Sequence, residues 1–163
     1  MIRKHKIFSR PKKPFELVRM QDENKLIEKY GLKNKREIWK FIAKVNYYRH
    51  RAMELAKSSD DEQKVLFGKL QNLGLNVNSV ADVLALNIDN LLSRRLQTVV
   101  FKKGYATTVK QARQFITHRK VLIDGRVINV PGYIVSVDEE KNLEVRRPVI
   151  NNNPKEKSTE ANE

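Results

Sequence analysis

The chain has 163 residues, enough for one ordinary domain or two small ones, so a large catalytic domain is excluded. Lysine and arginine number 33 against 19 aspartates and glutamates, and the resulting net charge of +14 points to a polyanionic partner such as nucleic acid. Cysteine is absent, which removes disulfides, thiolate metal sites and thiol nucleophiles, and His5, His50 and His118 are too scattered to suggest a metal centre.

An anionic membrane surface is the competing partner, but no stretch approaches the apolar run needed to span a bilayer and no lipidation motif is visible. The first residues are basic without an apolar segment after them, which predicts an intracellular chain and no membrane partner. Residues 1–34 are predicted to form a basic extended arm. From Met1 to Arg19, Arg3, Lys4, Lys6, Arg10, Lys12, Lys13 and Arg19 oppose the single acid Glu16, and Pro11 and Pro14 interrupt the segment. Such a segment orders against nucleic acid, the alternative being a solubilising tail.

Gly31 breaks the chain, and residues 35–88 are predicted to be a helical domain led by a long helix from about Arg36 to Lys57. Ile38, Phe41, Ile42, Val45, Tyr48, Ala52 and Leu55 recur at helical spacing and define a face to be buried. Arg36, Lys40, Lys44, Tyr47 and Arg51 gather opposite it, with Lys35 beside them. The four charges of this stripe share one sign and have no i,i+4 carboxylate, which favours phosphate contact over a merely solvated face. Arg49 falls within the apolar arc, where it snorkels or pairs with an acid elsewhere. Asp60 with Gln63, and Ser79 with Asp82, have capping-box spacing, opening one helix that ends at Gly74 and a short one that runs through Leu86.

From residue 89 to 147 the pattern passes from helix to helix to strands. Ile88, Leu91, Leu92, Leu96, Val99 and Val100 form one helical stripe closed by Gly104. Thr108 and Gln111 open a second helix that buries Val109, Ala112, Phe115 and Ile116 and gathers Lys110, Arg113 and Thr117 on another face. Val121 to Ile128 reads as two β-branched runs joined by Asp124-Gly125, a strong hairpin signal, and Tyr133–Val137 and Leu143–Val145 are predicted as further strands. Twelve cations oppose five acids between Arg94 and Arg147, so this part is basic independently of the arm. Residues 148–163 form a polar tail, predicted to be flexible. The predicted fold class is α+β: a basic arm and small helical domain followed by a helix-helix-β-hairpin module with additional short strands.

Ser93-Arg94-Arg95-Leu96, Val99-Val100-Phe101-Lys102-Lys103-Gly104, Thr107-Thr108, Gln111-Ala112-Arg113-Gln114, Ile116-Thr117-His118 and Asp124-Gly125-Arg126-Val127-Ile128-Asn129 resemble the RNA-binding module of the S-four family. Tyr30-Gly31-Leu32-Lys33-Asn34-Lys35-Arg36-Glu37-Ile38-Trp39 resembles the start of the archaeal and eukaryotic members of that family. The resemblance implies a cytoplasmic, ribosomal protein. It implies a primary binder of small-subunit rRNA that helps assemble the 5′ domain, meets neighbouring small-subunit proteins and lies where mRNA enters. Bacterial members often carry zinc-holding cysteines near the N-terminus; this chain has none, so no metal and no cofactor is expected.

A-form RNA is read through its shape, phosphates and 2′-hydroxyls, so cations must be held on a rigid surface. The candidates in the module are Arg94, Arg95, Lys102, Lys103, Lys110, Arg113, Thr117, His118, Arg119, Lys120 and Arg126, with the helix N-terminus at Thr107 and Thr108 placed to meet a phosphate. For Arg95 the alternative is a snorkelling residue at the core edge, and for His118 a helix C-terminal cap.

The same module is appended to RNA-modifying enzymes. Catalysis is not expected here, because no nucleotide-binding glycine loop and no histidine paired with a nucleophile is present. A free ribosome-associated or rescue-type accessory factor is the other reading of the module and its charge; the helical segment around Trp39 argues against it. Architectural DNA binding is a weaker third.

Overall fold

The structure, a computed structural model, describes residues 6–146. Arg3, Lys4, His5, Arg147 and the expected tail at 148–163 lie outside the described residues. The apolar stripes of the sequence produce two adjoining cores. Helix α2 (Lys35–Leu55) buries Ile38, Phe41, Val45, Ala52 and Leu55. Packed around it are α1 (Leu17–Tyr30), α3 (Asp60–Asn72), α4 (Val80–Ala85) and α5 (Ile88–Ser93). Together they enclose one cluster running from Tyr30 to Leu92.

The second cluster contains Leu96, Val100, Ala112, Ile116, Val121, Ile123 and Leu143. It lies between α6 (Leu96–Lys102), α7 (Val109–Thr117) and a sheet of β1 (Val121–Ile123), β2 (Arg126–Val127) and β3 (Leu143–Val145). The strand order is β2-β1-β3, all antiparallel, with Leu122 opposite Val127 on one side and Glu144 on the other. Asp124 and Gly125 have φ of 49° and 75°, the doubly positive pair that a tight two-residue hairpin turn requires. The α+β reading and the hairpin are therefore borne out.

Four local expectations need correction. The arm is not extended to residue 34, because α1 occupies Leu17–Tyr30. Leu26, Ile27 and Tyr30 pack on the first core, and that burial outweighs the charge pattern on which the arm was read. Arg19, grouped with the arm's cations, turns inward to Glu23 at 2.7 Å and donates to the carbonyls of Lys13 and Pro14.

The second correction falls at α3, whose N-cap is Ser59 rather than Asp60. Asp60, Asp61 and Glu62 all fall in its first turn, where the helix dipole favours negative charge. Third, the single stripe from Ile88 to Val100 breaks into α5 and α6, since Arg95 is extended (φ −68°, ψ 137°) and bridges to Ile134. Fourth, the strand expected at Tyr133–Val137 reduces to that bridge. A capping box of Ser136 and Glu139 starts α8 (Val137–Lys141) instead.

Gly31 ends α1 in the left-handed region (φ +57°), and a Cβ there would lie 2.9 Å from Gln97 Nε2. The Gln97 amide is fully buried and donates to the carbonyls of Tyr30, Gly31 and Val109, so it joins the end of α1 to α6 and α7. Gly31→Ala is expected to lower stability by about 1–3 kcal/mol through strain and displacement of Gln97, read as a shift in the urea midpoint without a change in m.

Candidate nucleic-acid interface

Helix α7 is set by its own caps. Thr108 Oγ1 accepts the Gln111 amide at 3.2 Å, while Gln111 Oε1 accepts the Thr107 amide at 2.8 Å and its hydroxyl at 2.7 Å. The Thr107 amide, predicted to meet a phosphate, is thus already bonded within the chain. From this helix Lys110 points into solvent, whereas the exposed Thr117 donates back to the carbonyls of Arg113 and Gln114. His118 is the exposed C-cap residue, and Arg119 follows in the left-handed conformation, also exposed. Lys120 lies over the Phe115 ring at 5.7 Å.

Lys102 extends from the end of α6 and Arg126 from β2, both exposed. Lys103 is exposed but donates to the Glu140 carbonyl. On α2, Arg36, Lys40, Lys44, Tyr47 and Arg51 are all exposed, as the stripe predicted. Arg51 also pairs with Glu54 and Lys35 with Glu23. Partial desolvation pulls the Lys44 ammonium below its ordinary value although the residue as a whole is exposed. In the N-terminal segment Lys6, Arg10, Lys12 and Lys13 are exposed.

Three predicted contacts pair within the chain instead, Arg95 buried and Arg94 and Arg113 half-buried. Arg95 is 1% exposed. Its Nη2 donates to Glu37 at 2.7 Å and its Nε to the Pro131 carbonyl at 2.8 Å. Arg113 Nη2 reaches the other oxygen of the same carboxylate at 2.8 Å. Arg94 pairs with Glu140 at 2.6 Å and donates to the carbonyls of Val135 and Ser136. The two pairs to Glu37 tie the cores together, and all three guanidinia are already paired within the chain. Arg49 likewise turns inward, donating to the Leu86 carbonyl.

Glu37 carries more than its place in the motif shows: it borders the basic stripe of α2, and an acid beside like-signed cations is itself a signal for an ion pair. Burial pushes its carboxyl upward, but the guanidinia of Arg113 and Arg95 outweigh that and hold it below its ordinary value. Glu23 is a second such acid: burial again opposes ionisation, and Trp39, Arg19 and Lys35 overcome it. Gln97 carried no signal, since a buried amide at a helix junction has no periodic signature.

Arg94→Ala is expected to lower the melting temperature while leaving the salt dependence of RNA binding unchanged. Lys102→Ala is expected to do the reverse, reducing the slope of log K against log salt by about 0.7. Melting curves and salt titrations on the two variants separate these roles.

Between α2 and the turn at residues 130–132 lies a groove of about 370 Å³ whose lining includes Lys40, Phe41, Lys44, Arg95, Arg113 and Pro131. A larger cleft of about 510 Å³ adjoins Trp39. Among the described residues, no group of three or more histidines, aspartates or glutamates could hold a metal ion, and no helix is long and apolar enough to cross a membrane.

The S4 domain is matched over residues 94–141. The chain is 43% identical over 150 residues to the small ribosomal subunit protein uS4 of Methanospirillum hungatei, covering 85% of this chain and 83% of that protein. It is 46% identical over 142 residues to uS4 of Ignicoccus hospitalis, covering 83% and 86%. With uS4 of Thermoplasma acidophilum the identity is 41% over 158 residues, covering 90% and 79%.

Proposed function

Because the chain belongs to the uS4 family of small ribosomal subunit proteins, we propose that it is a structural, non-catalytic constituent of the small subunit that holds rRNA on two basic surfaces. One is the α2 stripe of Arg36, Lys40, Lys44, Tyr47 and Arg51. The other is formed by Lys102, Lys110, His118, Arg119, Lys120 and Arg126 around α7 and the hairpin. The observation that carries this reading is that both sets are overwhelmingly of one sign and sit on or beside helices whose other faces are buried in the two cores.

The N-terminal cations Lys6, Arg10, Lys12 and Lys13 add a third point of attachment, and Arg3 and Lys4 extend it. Residues 1–34, 35–88 and 89–147 then act as arm, helical platform and reader, although α1 makes the later part of the arm a portion of the platform. The 5′ domain of the rRNA, neighbouring ribosomal proteins, and mRNA near its entrance are the partners that this reading assigns in the cytoplasm.

Sedimentation tests it. The polypeptide should stay with small subunits after a high-salt wash, and recovery only in the free fraction would favour a mobile accessory factor. Competition between folded rRNA and duplex DNA gives a second check, in which equal affinity for both overturns the proposal.

A further inference from the structure

The groove beside α2 differs in character from the open basic surfaces around it. Its walls are apolar, from Phe41, Val130 and Pro131, whereas Lys40, Lys44 and Arg113 bring positive charge to it. Four cations line it against one carboxylate, Glu37, which is already engaged by two of them. We propose that this groove receives one unpaired nucleotide of the bound RNA, with the base between the apolar walls and the Arg113 guanidinium and the flanking phosphates on Lys40 and Lys44. The inference rests on the RNA-binding reading above and adds to it a preference for a splayed-out base.

Size and charge select this occupant. A groove of about 370 Å³ falls at the small end of ligand sites and admits a single base, whereas a stacked duplex cannot enter it. Bases extruded from RNA are held by stacking on planar side chains, and Arg113 supplies such a plane, fixed from behind by Glu37 at 2.8 Å. Arg95 lines the same groove, and its buried Nη1 has no hydrogen-bond partner among the described residues. A carbonyl on a base edge is an acceptor of the kind this donor lacks. The larger cleft near Trp39 does not compete, because Glu16, Asp22 and Glu23 outnumber Arg10 and Arg19 there.

The full chain would be titrated with two RNA hairpins of the same stem, one fully paired and one carrying a single bulged 2-aminopurine. The expected result is at least tenfold tighter binding of the bulged hairpin, with a fall in 2-aminopurine fluorescence. Val130→Trp, at a position 55% exposed, fills the groove and should bring the ratio of the two affinities close to one at an unchanged melting temperature. Lys44→Ala should weaken the bulged hairpin more than the paired one. Equal affinities for the two hairpins, or a preference that survives Val130→Trp, would overturn the proposal while leaving the broader RNA-binding reading standing. Absence of salt-dependent binding to either hairpin would overturn both.

Discussion

Glu37→Gln lowers the stability of the chain by about 3–5 kcal/mol, a fall in melting temperature on the order of 10 °C for a domain of this size. The magnitude follows from what remains after the carboxylate is gone. Arg95 is 1% exposed and keeps its charge, so the variant holds a buried cation whose counter-ion has been replaced by a neutral amide. Arg113 loses the same partner. Removing an exposed pair such as Lys64 with Asp61 should cost well under 1 kcal/mol, which makes that pair a suitable control.

The pH dependence adds an independent readout. Because the folded-state value of Glu37 lies below its ordinary 4.5, its contribution to stability is complete above that pH and is lost as pH falls through the folded value. The acid limb of the stability curve should therefore be shallower in Glu37→Gln than in the parent chain. Thermal melts between pH 3 and 7 check both statements, and a variant that melts like the parent would sink the assignment of Glu37 as the link between the cores.

The quadruple replacement of Lys102, Lys110, Arg119 and Arg126 by alanine weakens RNA binding by about 600-fold at 0.1 M salt and reduces the salt slope by about 3. All four are exposed, so the fold should be nearly unaffected. Each phosphate contact contributes roughly 0.7 to the slope on single strands, and the difference between variant and parent should fade as salt approaches 1 M. A variant that binds weakly at every salt concentration with its slope unchanged would show that these cations do not meet phosphate.

Periodicity made the larger features legible in advance. The α2 face from Ile38 to Leu55, the Thr108 cap and the Asp124-Gly125 hairpin all stand where their spacing put them. What spacing could not reveal was the direction of a charge. Arg94, Arg95 and Arg113 belong to the same basic set as Lys102 and Lys110, but they point inward because Glu140 and Glu37, distant in sequence, are brought against them by the fold. Helix α1 is hidden for a related reason: the cations up to Arg19 dominate the pattern of the segment, and the apolar positions Leu26, Ile27 and Tyr30 show their purpose only against the first core. The strand expected at Tyr133–Val137 had suitable residues but gave way to a local cap at Ser136.

The boundary between the cores has a consequence for the order of events during synthesis. Every fully buried side chain of the first core lies at or before Leu92, and every one of the second at or after Leu96. The helical half can therefore close as soon as α5 leaves the ribosome that makes it, while Glu37 is still solvated and without its arginines. Docking of the second half then closes the Glu37 latch beside Ile134, which packs on the first core, and its timing is set by the arrival of Arg95 and Arg113. Pulse-labelled hydrogen exchange should find α2 protected before α7.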